Sequence, residues 1–153
     1  MVSKEHKRVV KALRELAEKY NEYSKVEQNK PNMIYGYNYV ADLWAKTKNG
    51  KIDVYEVWYG ESIDGAIGDI FWSALIPNIR HLHIVCVNKR YREPWTKEGA
   101  SGLFNNVSKH INNKDKRRAY DCLYPPYIAE VTEEELKDFE RLKKHLKKEL
   151  EFE

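Results

Sequence analysis

The chain reads as a single α/β domain in which a mixed sheet is flanked by helices and a further helix closes the C-terminal end. Three features predict this: a helical apolar period near the N-terminus, an Asn-Gly turn between two apolar runs, and a succession of strand, helix and strand. At 153 residues the chain suits one domain with a sizeable core.

In SKEHKRVVKALRELAEKYNEY, Val9, Leu13, Leu16 and Tyr20 recur at helical spacing with Val10 and Ala17 beside them, and Ser3 is placed to cap the first turn. A short strand is predicted in SKVEQ, before a break at NKPN. YNYVADLWAK is predicted as one strand and IDVYEVWYG as the next. They are joined through TKNGK, where Asn49 and Gly50 both tolerate positive φ. From Ile63 the pattern changes: Ile63, Ala66, Ile67, Ile70 and Ala74 share one helical face, and Pro77 stops the helix. HLHIVCVN follows as a buried strand, and the helical crossover implies that it runs parallel to IDVYEVW.

KEGASGLFNNVSKHINN is predicted as a helix with Leu103, Phe104, Val107 and Ile111 inward, and YPPYIAEV as extended, because Pro125-Pro126 exclude a helix. Thr132 and Glu135 form a capping box for a last helix over about residues 133–150. Its narrow seam of Leu136, Phe139, Leu142, Leu146 and Leu150 is suited to docking on the core, with a homodimer contact as the alternative.

No apolar run reaches membrane-spanning length and no leader pattern opens the sequence, so a soluble protein with no membrane partner is expected. Cys86 and Cys122 form no CxxC pair; Cys86 reads as a small buried hydrophobe, and a cytoplasmic location is expected. Charged residues make up 33% of the chain and Gln28 is its only glutamine, a composition resembling that of thermophile proteins. The net charge of +3 identifies no partner, but its distribution is uneven. Residues 51–76 carry one base and five acids, whereas residues 88–118 carry nine bases and three acids. An acidic centre beside a basic flank suits a cation and a polyanion on one surface, and it also suits ordinary surface patchiness.

Hard divalent cations take oxygen ligands, so a magnesium site needs converging carboxylates. Asp42 lies eight residues before Gly50 and Glu56 six after it, so paired strands place both on one face. Each stands among apolar neighbours, where a carboxylate is costly unless compensated. The alternative is that both are solvent-facing positions paired with Lys46 or Lys51.

VADLWAKTKNGKIDVYEVWYG is similar to the core of the PD-(D/E)XK nuclease superfamily, which includes archaeal Holliday-junction resolvases and restriction endonucleases. Its signature is an Asp on one strand, a hairpin, then Glu-x-Lys on the next strand, followed by a helix. The resemblance covers about residues 4–88 and implies a restriction-endonuclease-like α-β-α core, with the basic region 88–118 and the last helix added to it. It implies a DNA endonuclease dependent on Mg2+ or Mn2+, with Asp42, Glu56 and the Val57 carbonyl holding the ion. A carboxylate of the first helix often assists in that family, and by position this is Glu15. Three positions depart from the pattern. Ala41 replaces a proline, Asp69 stands where relatives carry glutamine, and Trp58 replaces the lysine that offsets charge at the phosphate. Indole has a donor but no charge, so it cannot supply that electrostatic role. Lys46 is the candidate for a migrated lysine, with a solvated hairpin lysine as the plainer alternative.

Four tryptophans and 11 tyrosines are many aromatics for this length. Interleaved with bases in NKRYREPW and NKDKRRAY they suit stacking on nucleic acid, although aromatics in a small α/β domain are usually core. Arg90, Arg92, Arg117 and Arg118 are the candidate phosphate contacts, and Trp58 a candidate to stack on a nucleotide from a partly exposed position beside Glu56. An inactive nuclease-fold module that binds nucleic acid or serves assembly is the alternative function. His81 and His83 share one face of their strand, more suited to a half-exposed strand end than to a zinc site. Helix-turn-helix, zinc-finger, GxSxG and phosphate-loop patterns are absent.

Overall fold

The computed structural model describes residues 3–88, 95–115 and 126–152. Helix α1 spans Lys4–Lys19, and Ser3 caps it as predicted, its Oγ accepting the His6 N–H at 3.0 Å. Strands follow at β1 (Tyr23–Gln28), β2 (Pro31–Ile34), β3 (Tyr37–Val40), β4 (Leu43–Thr47) and β5 (Ile52–Trp58). Then come α2 (Ile63–Ser73), β6 (Ile79–Val87), α3 (Lys97–Asp115), β7 (Tyr127–Val131), and two helices, α4 (Glu133–Lys137) and α5 (Phe139–Glu149).

The main sheet has the order β1-β4-β5-β6-β7. Antiparallel pairing joins β1 to β4 and β4 to β5, while β6 runs parallel to β5 and β7 parallel to β6. The sheet is therefore mixed, and the crossover through α2 has the parallel sense expected of it. Alternation along the strands separates two cores. On one face Leu43, Tyr55, Val57, Val85 and Val131 pack with α1, α4 and α5. On the other, Trp44, Val54, Trp58, Leu82, Ile84 and Cys86 pack with α2 and α3. Helices cover both faces, so all seven residues of β5 are buried.

Three elements differ from the expectation. YNYVADLWAK is two strands, because the chain leaves the main sheet at Ala41-Asp42, and β3 pairs with β2 in a separate hairpin. That hairpin turns at Tyr35-Gly36, both at positive φ, a two-residue turn without the usual Asn-Gly signal. In the β4–β5 turn only Gly50 takes positive φ, and its N–H bonds the Thr47 carbonyl at 3.0 Å. The last helix is broken at Asp138, whose side chain accepts the Arg141 N–H and starts a new helix. Thr132 precedes α4 and contacts the Glu135 carboxylate, although it makes no side-chain bond to a cap N–H. Finally, α2 turns a narrower stripe inward than its sequence suggests. Ala66 and Ile70 are buried, but Ile63 is 59% and Ile67 37% exposed.

The seam of α4 and α5 docks on the core: Leu136, Leu142, Leu146 and Leu150 are buried with α1 residues. Among the described residues no helix is long and apolar enough to cross a membrane.

Candidate functional site

The β4–β5 register pairs Leu43 with Tyr55, which brings Asp42 opposite Glu56 just where β4 begins. The two acids do meet across adjacent strands. The Asp42 N–H donates to Glu56 Oε1 at 2.7 Å, and the Val57 N–H donates to Asp42 Oδ2 at 2.8 Å. Each carboxylate thus holds the other residue's strand by a backbone donor, which explains why the chain can leave the ladder at Asp42 without orphaning an N–H.

Glu56 is 4% exposed. Its second oxygen accepts the Tyr39 hydroxyl at 3.0 Å, and its side chain also hydrogen-bonds Asp69 of α2. Tyr39 comes from the β2–β3 hairpin, itself only 4% exposed, and closes over the acid. Burial, followed by the nearby Asp69 charge, pushes the Glu56 carboxyl well above the usual range. Burial likewise raises Asp69 to about 6, against the lowering effect of its bonds to Glu56 and Trp58. Burial and the contact between the two carboxylates make it costly for both to ionise together. Asp42 keeps a 23% exposed side chain and meets His6 Nε2 of α1 at 3.2 Å. Glu61 lies next to it, raised by burial and then by the Asp42 charge. Gly65 makes this possible, because a Cβ there would collide with the Glu61 carboxylate.

Trp58 corrects the expectation of partial exposure. It shares the face of Glu56, but α2 and α3 cover that face and the indole is 0% exposed. Its Nε1–H donates to Asp69 Oδ2 at 2.9 Å, and its ring lies 4.7 Å from that of Trp95. It presents no surface to a nucleotide. Trp44 is buried, while Trp72 and Trp95 are partly buried against the same core, so all four tryptophans pack.

Glu15 also lies elsewhere. Nine residues beyond His6 on α1, about 13 Å at 1.5 Å per residue, it pairs with Lys143 of α5 at 3.2 Å. His6 takes the place expected for that helical acid. Lys46 is exposed four residues along β4 from Asp42, roughly 13 Å away in a strand. Arg90, Arg92, Arg117 and Arg118 lie outside the described residues. His81 and His83 share a face, but His83 is 3% exposed and stacks on Tyr55 with centroids 4.0 Å apart. Burial lowers it to about 4.

These donors do not fit the divalent ion that the resemblance implies. Such an ion needs several ionised or neutral oxygens free to converge at about 2.0–2.6 Å. Both Glu56 oxygens are engaged by the Tyr39 hydroxyl and the Asp42 N–H, and Asp42 Oδ2 is committed to the Val57 N–H. Among the described residues no group of three or more His, Cys, Asp or Glu is arranged to hold a metal ion.

Sequence reasoning missed His6, Tyr39 and Glu61. Only Glu61 left a signal, as one of the five acids of the central segment. The Glu56 contacts give a direct prediction. Glu56→Gln keeps a carbonyl oxygen for the Asp42 N–H and turns its amide N–H toward the Tyr39 hydroxyl oxygen, so its stability should stay within about 1 kcal/mol of the parent. Glu56→Ala strands those donors and Asp69, and should cost about 2–4 kcal/mol. Urea denaturation of the two variants checks this; equal stabilities would mean that the contacts contribute nothing.

Comparison with protein-family models, with curated proteins and with solved structures finds no match for this chain.

Proposed function

We propose that this chain is a nucleic-acid-binding module on a restriction-endonuclease-like core of the PD-(D/E)XK type, with its hydrolytic site closed. The observation that carries this is the state of Glu56: buried, in contact with Asp69 and with its carboxyl raised by that burial, and capped by Tyr39. Trp58, at the position of the motif lysine, holds Asp69 by a neutral N–H where hydrolysis needs a cation near the phosphate. The core is supported by element order. A helix, three antiparallel strands, a helix and a parallel strand follow one another as the resemblance implies, with β2 and β3 as an insertion. The binding role rests on the excess of bases over residues 88–118. Fold alone fixes no activity, so the reading rests on the site.

A second reading, weak cleavage of DNA with Mg2+ or Mn2+, is favoured by one observation: Asp42 and Glu56 still meet beside Val57. One experiment separates the two. Branched, duplex and single-stranded DNA are incubated with the protein and either metal, beside Asp42→Ala and Glu56→Ala. The closed site predicts no cleavage by any of the three proteins. Cleavage by the parent that is lost in both variants would overturn it.

Binding is measured on the same DNAs. Affinity should fall steeply with salt, and charge reversal at Arg117 and Arg118 should weaken it alike for all sequences, because released counterions supply the driving force. Absence of salt-sensitive binding would remove the nucleic-acid role.

A further inference from the structure

The β2–β3 hairpin has two faces, and the site at Glu56 uses only one of them. Cross-strand partners share a face, so the pairs Asn32–Tyr39 and Ile34–Tyr37 point one way, and Pro31–Val40 and Met33–Asn38 the other. The first face is the inner one. Ile34 and Tyr39 are buried there, and Tyr37 stacks on Trp72 of α2 with centroids 4.3 Å apart. On the outer face all four residues are exposed, Met33 at 68% and Val40 at 42%, and Tyr35 at the tip is 86% exposed. Of the six large apolar side chains that stand exposed among the described residues, four belong to this hairpin. Exposed apolar residues scattered singly need no explanation; a cluster on one hairpin does.

The composition says what this face can meet. Residues 31–41, PNMIYGYNYVA, carry no charge in a chain that is 33% charged. The charges at the two ends are held within the chain itself. Lys30 pairs with Glu27 at 3.3 Å and lies over the Trp44 ring, while Asp42 meets His6 and the Val57 N–H. A phosphate backbone or an anionic headgroup layer is attracted by bases, and this face offers none. A second copy suits it better, because an uncharged face meets its own copy without like-charge repulsion. The mode is also constrained. Pro31 has no N–H to give along the edge of β2, and each strand is only four residues long, so stacking of faces is favoured over a shared ladder.

We propose that the outer face of the β2–β3 hairpin is a homodimer interface, in which two hairpins stack face to face about a two-fold axis at Met33. Met33 lies midway between Pro31 and Tyr35, two residues from each. The axis therefore lays the tip tyrosine of each copy over the Pro31–Val40 end of the other, an isologous contact that closes on itself. With about 200 Å2 for a tyrosine and somewhat less for the aliphatic side chains, the face exposes about 400–500 Å2. Two copies then bury about 1,000 Å2, close to the least that a specific interface needs. The interface uses no base and no carboxylate of the site at Glu56, so it stands or falls apart from the nucleic-acid reading.

Sedimentation velocity of the full chain over a concentration series tests this, with a dimer Kd expected at about 10–100 μM. Met33→Lys sets two like charges at the axis and should weaken the dimer at least about tenfold. Its Tm should not change, because the side chain is exposed. Met33→Glu alone should behave in the same way. An equimolar mixture of Met33→Lys with Met33→Glu should dimerise again, since opposite charges then meet; contact of Met33 with its own copy requires this recovery. Ile63→Lys, at an exposed apolar position of α2, should leave the dimer unchanged. A parent that stays monomeric up to about 200 μM, a dimer that survives Met33→Lys, loss through Ile63→Lys, or no recovery in the mixture would each overturn the proposal. So would a monomer that floats with phosphatidylcholine vesicles and loses them on Met33→Lys, which would assign the face to a lipid surface.

Discussion

Trp58→Lys is expected to destabilise the fold by about 3–5 kcal/mol, read as a shift of the urea midpoint with little change in slope. The indole is 0% exposed between α2 and α3, so lysine removes ring volume from a closed core and leaves a void. It also removes the N–H that Asp69 accepts at 2.9 Å. An ammonium there would have the Asp69 and Glu56 carboxyls near it, and pairing would recover part of the loss. Burial of the pair from water still opposes it. Trp58→Phe is the useful comparison: it keeps most of the apolar volume and deletes the donor, so it should cost about 1–3 kcal/mol. If Trp58→Lys folds as stably as the parent, the indole is not a core residue, and the closed-site proposal loses its second support.

Asp69→Asn is expected to stabilise the protein by about 1–3 kcal/mol near neutral pH and to change little near pH 4. The sign follows from the raised carboxyl, whose value moves from 3.8 to about 6 in the fold. Between those values the folded protein keeps a proton that the unfolded chain has released. Stability from the protonated form is complete below about 3.8 and is lost as pH rises through about 6. Above that, the parent carries a buried charge that asparagine never acquires. The amide can still accept the Trp58 N–H and donate to Glu56. His83 has the opposite effect. Burial lowers it from 6.5 to about 4, so its contribution is present above about 6.5 and is lost as pH falls through about 4. The two trends overlap, so the informative quantity is the difference between variant and parent across pH. A variant that is less stable than the parent at pH 7 would show that the Asp69 charge stabilises the fold and is not a burial cost.

Local periodicity determined much of this molecule. The Ser3 cap, the α1 stripe, the hairpin at Gly50 and the parallel crossover between β5 and β6 all follow from spacing over a few residues. So does the meeting of Asp42 and Glu56, because equal parity on paired strands leaves them one face to share. The tertiary structure alone decided what that face meets. Spacing places Trp58 beside Glu56, but whether the face is wet depends on α2 and α3, which arrive from distant sequence and bury it. Tyr39 reaches Glu56 only because the chain leaves the sheet at Ala41-Asp42, where the Asp42 and Glu56 side chains satisfy the backbone N–H groups that a longer ladder would have used. His6 rather than Glu15 meets Asp42 because the docking of α1 selects which of its turns lies over the end of β4. A cavity around Asp53 likewise gathers the ends of α1 and α5 with the starts of β1, β5, β6 and β7, six segments with no common local pattern. A side chain's orientation is a property of its own strand or helix; its desolvation, and with it the raised Glu56 carboxyl, is a property of whatever packs against it.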